Sequence, residues 1–197
     1  MNKSKVSICL LLLLTLFFFG GNVFSQKTID SYQKEIKRSV RKLKRKGYYV
    51  NDFDQTMREQ METVYKFSAE LDELGKPLYL ISSGIATAST ENVARINALN
   101  LAKGDIVTKL TSVIYNTFKR ELRIDNNKYL DSITMVAVSR AKQKLGQIRI
   151  LAEIYRRKEK DEVECVLQVA YNREFEQKII KEIVKNNSSG KNTYYAP

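Results

Sequence analysis

Residues 148–171 read IRILAEIYRRKEKDEVECVLQVAY. Ile148, Ile150, Ala152 and Ile154 alternate with Arg149, Leu151, Glu153 and Tyr155. After the short, fully charged link Arg157 to Asp161, Val163, Cys165, Leu167, Val169 and Tyr171 alternate with Glu162, Glu164, Val166, Gln168 and Ala170. A period of two sends successive side chains to opposite faces of a strand, and a short link joins antiparallel neighbours. The stretch therefore predicts a β-hairpin with one face buried. Upstream, residues 77–86 (PLYLISSGIA) are apolar and β-branched enough for a buried strand. Gly84 inside that run marks a bulge or the close approach of another backbone.

The segments between and around these strands carry helical spacing. Ser89 or Thr90 caps a helix running to about Leu122, with Ala94, Ala98 and Ala102 at intervals of four, followed by Ile106, Leu110, Val113 and Ile114. The small residues let this helix lie close to a sheet. Gly104 costs about 1 kcal/mol relative to Ala in a helix interior, which predicts a second tight contact. Asp125 to Lys128 reads as a loop. Asp131 or Ser132 caps a further helix with Ile133, Val136, Ala137 and Ala141 inward, ending at Gly146. After the hairpin, Asn172 caps a last helix from Arg173 to Lys185, with Phe175, Ile179, Ile180, Ile183 and Val184 apolar, and residues 186–197 form a polar tail predicted to be disordered.

Ahead of the first strand, residues 31–46 predict a basic helix with the stripe Ile36, Val40 and Leu43, ended by Gly47. A turn-rich stretch, Tyr48 to Gln55, precedes a second helix. There Thr56 and Glu59 have the spacing of a capping box, Met57, Met61, Val64, Ser68 and Leu71 share a face, and Gly75 and Pro77 stop the helix. This order predicts the α+β class: a two-layer sandwich over 77–185, with a three-stranded, largely antiparallel sheet packed on one face by helices, and an N-terminal helical extension of two helices over 26–76.

The N-terminus reads as an address. Lys3 and Lys5 precede an almost wholly apolar run, Ile8 to Phe19, which Gly20 and Gly21 break; Val23, Phe24 and Ser25 occupy the positions a signal peptidase reads. Residues 1–25 are expected to be a secretory signal peptide cut between Ser25 and Gln26. A run of about 12 apolar residues is short of the roughly 20 needed to span a bilayer, so no transmembrane helix is expected after cleavage. Cys9 lies at the start of the apolar run and not after it, so it does not occupy the place of a lipidated cysteine, and the protein is expected in the periplasm or at the outer membrane without a lipid anchor. Cleavage removes two Lys, lowering the formal charge from +12 to +10, and leaves Cys165 as a lone thiol. Its place in an alternating strand suits a small buried hydrophobe, with intermolecular pairing as the alternative.

Composition narrows the chemistry. The 197 residues contain no His, which removes the commonest general base and metal ligand, and two Cys at 9 and 165 make neither a zinc site nor a disulfide framework. Ser82-Ser83-Gly84 is not a nucleophile elbow, no phosphate-binding G-x-x-x-x-G-K-[ST] loop is present, and the acidic residues fall on helix faces and hairpin edges. No catalytic, cofactor-binding or metal-binding residues are expected. The strongest charge feature is 31–47, where Lys34, Lys37, Arg38, Arg41, Lys42, Lys44, Arg45 and Lys46 oppose Glu35, a net of +7. Lys37, Arg38, Arg41, Lys42, Lys44, Arg45 and Lys46 are candidates for binding an anionic glycolipid or an acidic polysaccharide; nucleic acid fits least, because no nucleic-acid-binding motif is present. The alternative is local neutralisation. Residues 52–73 hold Asp52, Asp54, Glu59, Glu62, Glu70, Asp72 and Glu73 against Arg58 and Lys66, a net of −5, so the two helices could pair as a hairpin.

Gly75 to Ala86, then Asn92, Ala94, Ala98 and Leu101-Ala102-Lys103, resemble the LPP-twenty-type lipoprotein-like domain, a family that includes outer-membrane-associated proteins and the N-terminal domain of the flagellar protein FlgT. Tyr155 to Lys158 with Val163 to Tyr171 is similar to the closing hairpin of its secreted Bacteroidota members, and Lys46 to Tyr49 with Met57 to Met61 is similar to their N-terminal extension. The likeness spans about 46–173 and rests on packing motifs. It implies a compact envelope domain without established enzymatic chemistry, and this chain lacks the lipidated cysteine of the lipoprotein members. The expectation is a non-enzymatic exported protein that engages an envelope partner through a sheet edge, a sheet face or the basic helix, with polyanion binding by that helix as the alternative.

Overall fold

Backbone pairing and helix packing come from a computed structural model, which describes residues 29–51, 55–123, 126–159 and 161–188. The expected signal peptide with its Ser25–Gln26 cleavage bond, the acidic Asp52 and Asp54, and the tail beyond 188 lie outside the described residues. The chain divides into two compact units, 1–35 and 36–197. The element order is α1 (Ile29–Arg45), β1 (Tyr48–Tyr49), α2 (Met57–Ala69), β2 (Tyr79–Ala88), α3 (Glu91–Leu122), α4 (Asn127–Lys142), a 3-10 turn (Leu145–Gln147), β3 (Arg149–Arg157), β4 (Val163–Asn172) and α5 (Glu174–Ser188). The class is α+β, and the sheet is antiparallel with strand order β1-β3-β4-β2.

The predicted hairpin and first strand form the middle of this sheet. β2 pairs with β4 over its whole length, from Tyr79↔Asn172 to Ala88↔Val163. α3 begins at Thr90, whose side chain accepts from the Val93 N–H, and ends at Arg123 in the left-handed region. Its Ala94, Ala98 and Ala102 are fully buried against the sheet. Of the two readings the sequence left for Gly84, the structure shows the close approach and not the bulge: a Cβ there would sit 1.7 Å from the Ala98 carbonyl oxygen and 2.9 Å from the Ala102 nitrogen, and the pairing with β4 runs unbroken through Gly84↔Leu167. The far half of α3 carries larger side chains, Ile106, Leu110, Ile114 and Phe118, which meet Leu130, Ile133 and Ala137 of α4 and Ile179, Ile180 and Ile183 of α5.

The structure corrects the sequence reading in several places. The sheet has four strands, not three: Tyr48 and Tyr49, read as part of a turn, pair with Arg156 and Tyr155. A two-residue strand is too short to show a period. The sheet is also covered on both faces. Phe67 and Val64 of α2 pack with Leu151, Ala170, Tyr79 and Ile81, while Val40 and Leu43 of α1 join Tyr48, Met57, Ile154 and Val166, so a further helical layer faces α3, α4 and α5 across the sheet. β4 is consequently buried on both faces from Glu164 to Tyr171, not on one.

A register shift between Ile150 and Ala152 splits the expected stripe of β3. Ile150 packs toward α3, whereas Ala152 and Ile154, two and four residues on, leave that face to Glu153 and Tyr155. One extra residue in a strand flips every later side chain.

Helix boundaries shift as well. α2 opens with the predicted capping box at Thr56 and Glu59 but stops at Ala69; Gly75, at φ +71°, belongs to a tight turn in which its N–H donates to the Asp72 carbonyl, and its inward residues are Met57, Gln60 and Phe67 in place of Met61, Ser68 and Leu71. α4 is capped by Asn126, so Asp131 and Ser132 lie inside it, and it ends at Lys142, short of Gly146. α5 extends to Ser188 beyond the predicted Lys185, and Asn172 accepts from the Glu174 N–H at its start. Gly104 meets nothing within 4 Å of a would-be Cβ, so the expected second tight contact is not made within the chain's described residues.

Candidate functional site

The last three turns of α1 hold its cations outward because its apolar stripe points in. Ile36 is buried, and Val40 and Leu43 pack against the Tyr48 cluster, so the remaining arc of the helix faces solvent. Lys37, Arg38, Arg41, Lys42, Lys44 and Arg45 are all exposed, and Lys46 is half-buried. Among the described residues none of the seven makes an ion pair, and none bridges to residues 55–73. The acidic helix uses its charges on itself. Glu59 accepts from the Thr56 N–H in the capping box, Glu62 pairs with Arg58 at 2.9 Å, and Asp72 accepts from the Leu74 and Lys76 N–H groups of its turn. The predicted mutual neutralisation of the two helices is therefore not made among the described residues.

The basic strip is longer than the sequence suggested. Because Tyr48 pairs with Arg156, the charged end of β3 comes beside the C-terminal turn of α1. The Lys46 ammonium is held below its ordinary range by partial burial and by the like charges of Lys42 and Arg156. Positive charge therefore accumulates at this corner. Arg156 stacks over the Tyr48 ring, 4.8 Å from its centroid, and with Lys158 it pairs with Glu164 at 2.7 and 2.9 Å. Arg157, the residue between them, is exposed and borders an open depression of about 460 Å³ lined by Gly47, Tyr49 and Arg157. Sequence reasoning missed Arg156, Arg157 and Lys158 because only the β1–β3 pairing brings them to α1.

One carboxylate organises this corner. Burial alone would raise Glu164, but the Tyr48 hydroxyl, donating at 2.6 Å, with Lys158 and Arg156 outweighs it and holds the carboxyl below its ordinary value. Burial and that same bond push the Tyr48 phenol upward. Glu164 thus ties β1 to the sheet and pairs with both Arg156 and Lys158, its one negative charge leaving a net positive charge at this end of β3.

Side chains of the chain itself engage single positions on the sheet edges. Beyond β1, the Glu153 N–H on β3 donates to Gln60 Oε1 of α2 at 2.8 Å, and Gln60 in turn donates to the Gln55 carbonyl. On the outer strand β2, Lys109 donates to the Ile81 carbonyl at 2.8 Å and pairs with Asp105, which accepts from the buried Ser82 hydroxyl. Cys165 is fully buried, and burial pushes its thiol up to about 12. No helix among the described residues is long and apolar enough to cross a membrane. Compared with known proteins, the chain matches no family model, no curated protein and no solved structure.

Proposed function

We propose that this chain is an exported, non-enzymatic envelope protein that binds a polyanion through α1 and the adjoining end of β3. The ligand class is an acidic polysaccharide or the anionic head groups of a glycolipid. The observation that carries the reading is the row of exposed cations from Lys37 to Arg45, which make no ion pair among the described residues, continued by Lys46 and Arg157. Helix geometry sets such charges at intervals of a few ångströms, which suits a repeating anionic chain better than a single small anion. Export rests on residues 1–25, and the envelope setting on the resemblance to LPP-twenty-type domains.

The test is binding to a polyuronate and, separately, to vesicles of anionic phospholipid across a salt series. Affinity should fall steeply as salt rises. Changing Lys37, Arg38, Arg41, Lys42, Lys44, Arg45 and Lys46 to Gln should weaken binding and flatten the salt dependence. Binding that ignores salt, or survives the seven changes intact, would overturn the reading.

A further inference from the structure

The cations of α1 are not spread evenly around the helix. Ile36 is buried, and Val40 and Leu43 pack against the Tyr48 cluster, which fixes the side turned to the sheet. At about 100° per residue the opposite, outward line runs through Arg38 and Arg45, with Arg41 and Lys42 within roughly 55° on either side. Lys37 and Lys44 stand at roughly right angles to that line, and Lys46 follows the last turn. All three arginines of α1 therefore lie on its crest, whereas the flanks are lysine.

Helix spacing makes the crest a ladder. Arg38, Arg41 and Arg45 are three and four residues apart, so each stands about one turn, roughly 5 Å, from the next. Neighbouring like charges at these spacings destabilise a helix unless an anion lies among them. All three are exposed, and none makes an ion pair among the described residues.

Arginine and lysine hold anions differently. A lysine ammonium is a compact point charge, whereas a guanidinium is a planar fork whose paired N–H donors meet both oxygens of one carboxylate. Forks one turn apart match a linear chain with one carboxylate per unit of similar length, which is the build of a polyuronate. A lipid surface fits less well, because the apolar stripe Ile36, Val40 and Leu43 is turned to the sheet and cannot enter a bilayer.

Resting on the polyanion reading of α1, we propose that Arg38, Arg41 and Arg45 are the residues that recognise the ligand, a polyuronate lying along the helix axis with successive carboxylates on successive arginines. The lysines of the strip supply attraction that does not depend on the shape of the anion.

Charge-conserving exchange separates the two contributions. Oligogalacturonates of roughly two to eight sugars, titrated calorimetrically into the purified protein at fixed salt, should bind more tightly with length until about three or four sugars cover the rise from Arg38 to Arg45, and then gain little. Arg38→Lys, Arg41→Lys and Arg45→Lys together should weaken binding about tenfold and leave its salt dependence unchanged, since no charge is lost. Lys37→Arg with Lys44→Arg should change neither. Equal binding by the triple lysine variant, its helix content unchanged by circular dichroism, would overturn the assignment and leave the polyanion reading standing. So would binding of anionic phospholipid vesicles with no binding of the oligogalacturonates. Absence of binding to uronates and vesicles alike would remove the polyanion reading itself, and this assignment with it.

Discussion

At Gly84 there is no room for one added carbon. A Cβ would lie 1.7 Å from a backbone oxygen of α3, so the helix or the strand must move. Gly84→Ala is expected to destabilise the protein by about 3 kcal/mol or more, checked by chemical denaturation. A change of a few tenths would mean that α3 does not lie this close. Gly104 is the opposite case. Its would-be Cβ points into open space, so Gly104→Ala should stabilise the protein by about 1 kcal/mol through helix propensity alone, measured by the same denaturation. The two glycines look alike in sequence, each inside an apolar pattern. Only the neighbour across the gap separates them. Cys165 was legible as a buried small residue because the alternation of β4 assigns it to the inner face, and it is fully buried there.

At the scale of elements, long periodic segments were the most legible. α3 runs from its predicted cap region to its predicted end because 32 residues of consistent spacing leave no alternative phase. β1 was invisible: two residues held by pairing to β3 and by a distant carboxylate carry no local signal. That carboxylate can be tested. Glu164 is held below its ordinary 4.5, so its stabilising effect is present above that value and is lost as pH falls through it toward the folded-state pKa. Glu164→Gln should therefore cost about 1–3 kcal/mol at neutral pH, with the difference from the unmodified protein shrinking below about pH 4.5. Urea titrations at pH 7 and pH 3.5 check it, and an equal cost at both would assign the effect to packing. The β3 bulge was equally hidden, because an alternating run written in sequence does not show where one residue is skipped.

At the scale of the molecule, charge and packing separate. Among the described residues the cations from Lys37 to Arg45 are exposed and make no ion pair, and exposed charges contribute little to stability. The seven Lys/Arg→Gln changes that should remove polyanion binding are therefore expected to alter unfolding free energy by less than about 1 kcal/mol. Relief of like-charge crowding around Lys46 should make the small effect favourable. A large loss of stability would instead mean that these side chains pack, and their role in binding would have to be judged from single changes.

The sequence by itself determined the α+β class, the hairpin and the basic face of α1, because each is written as a local period or a run of like residues; at Gly84 it left a bulge and a close approach both open. Tertiary structure decided the rest. The fourth strand, the second helical layer, the bulge that divides β3, and the junction of Arg156 to Lys158 with α1 all depend on residues tens of positions apart in the chain. It also decided that the acidic helix does not neutralise the basic one among the described residues. Charge totals in sequence are blind to direction, and here the caps, the turn and the i,i+4 pair take up acids that a sum would assign to α1.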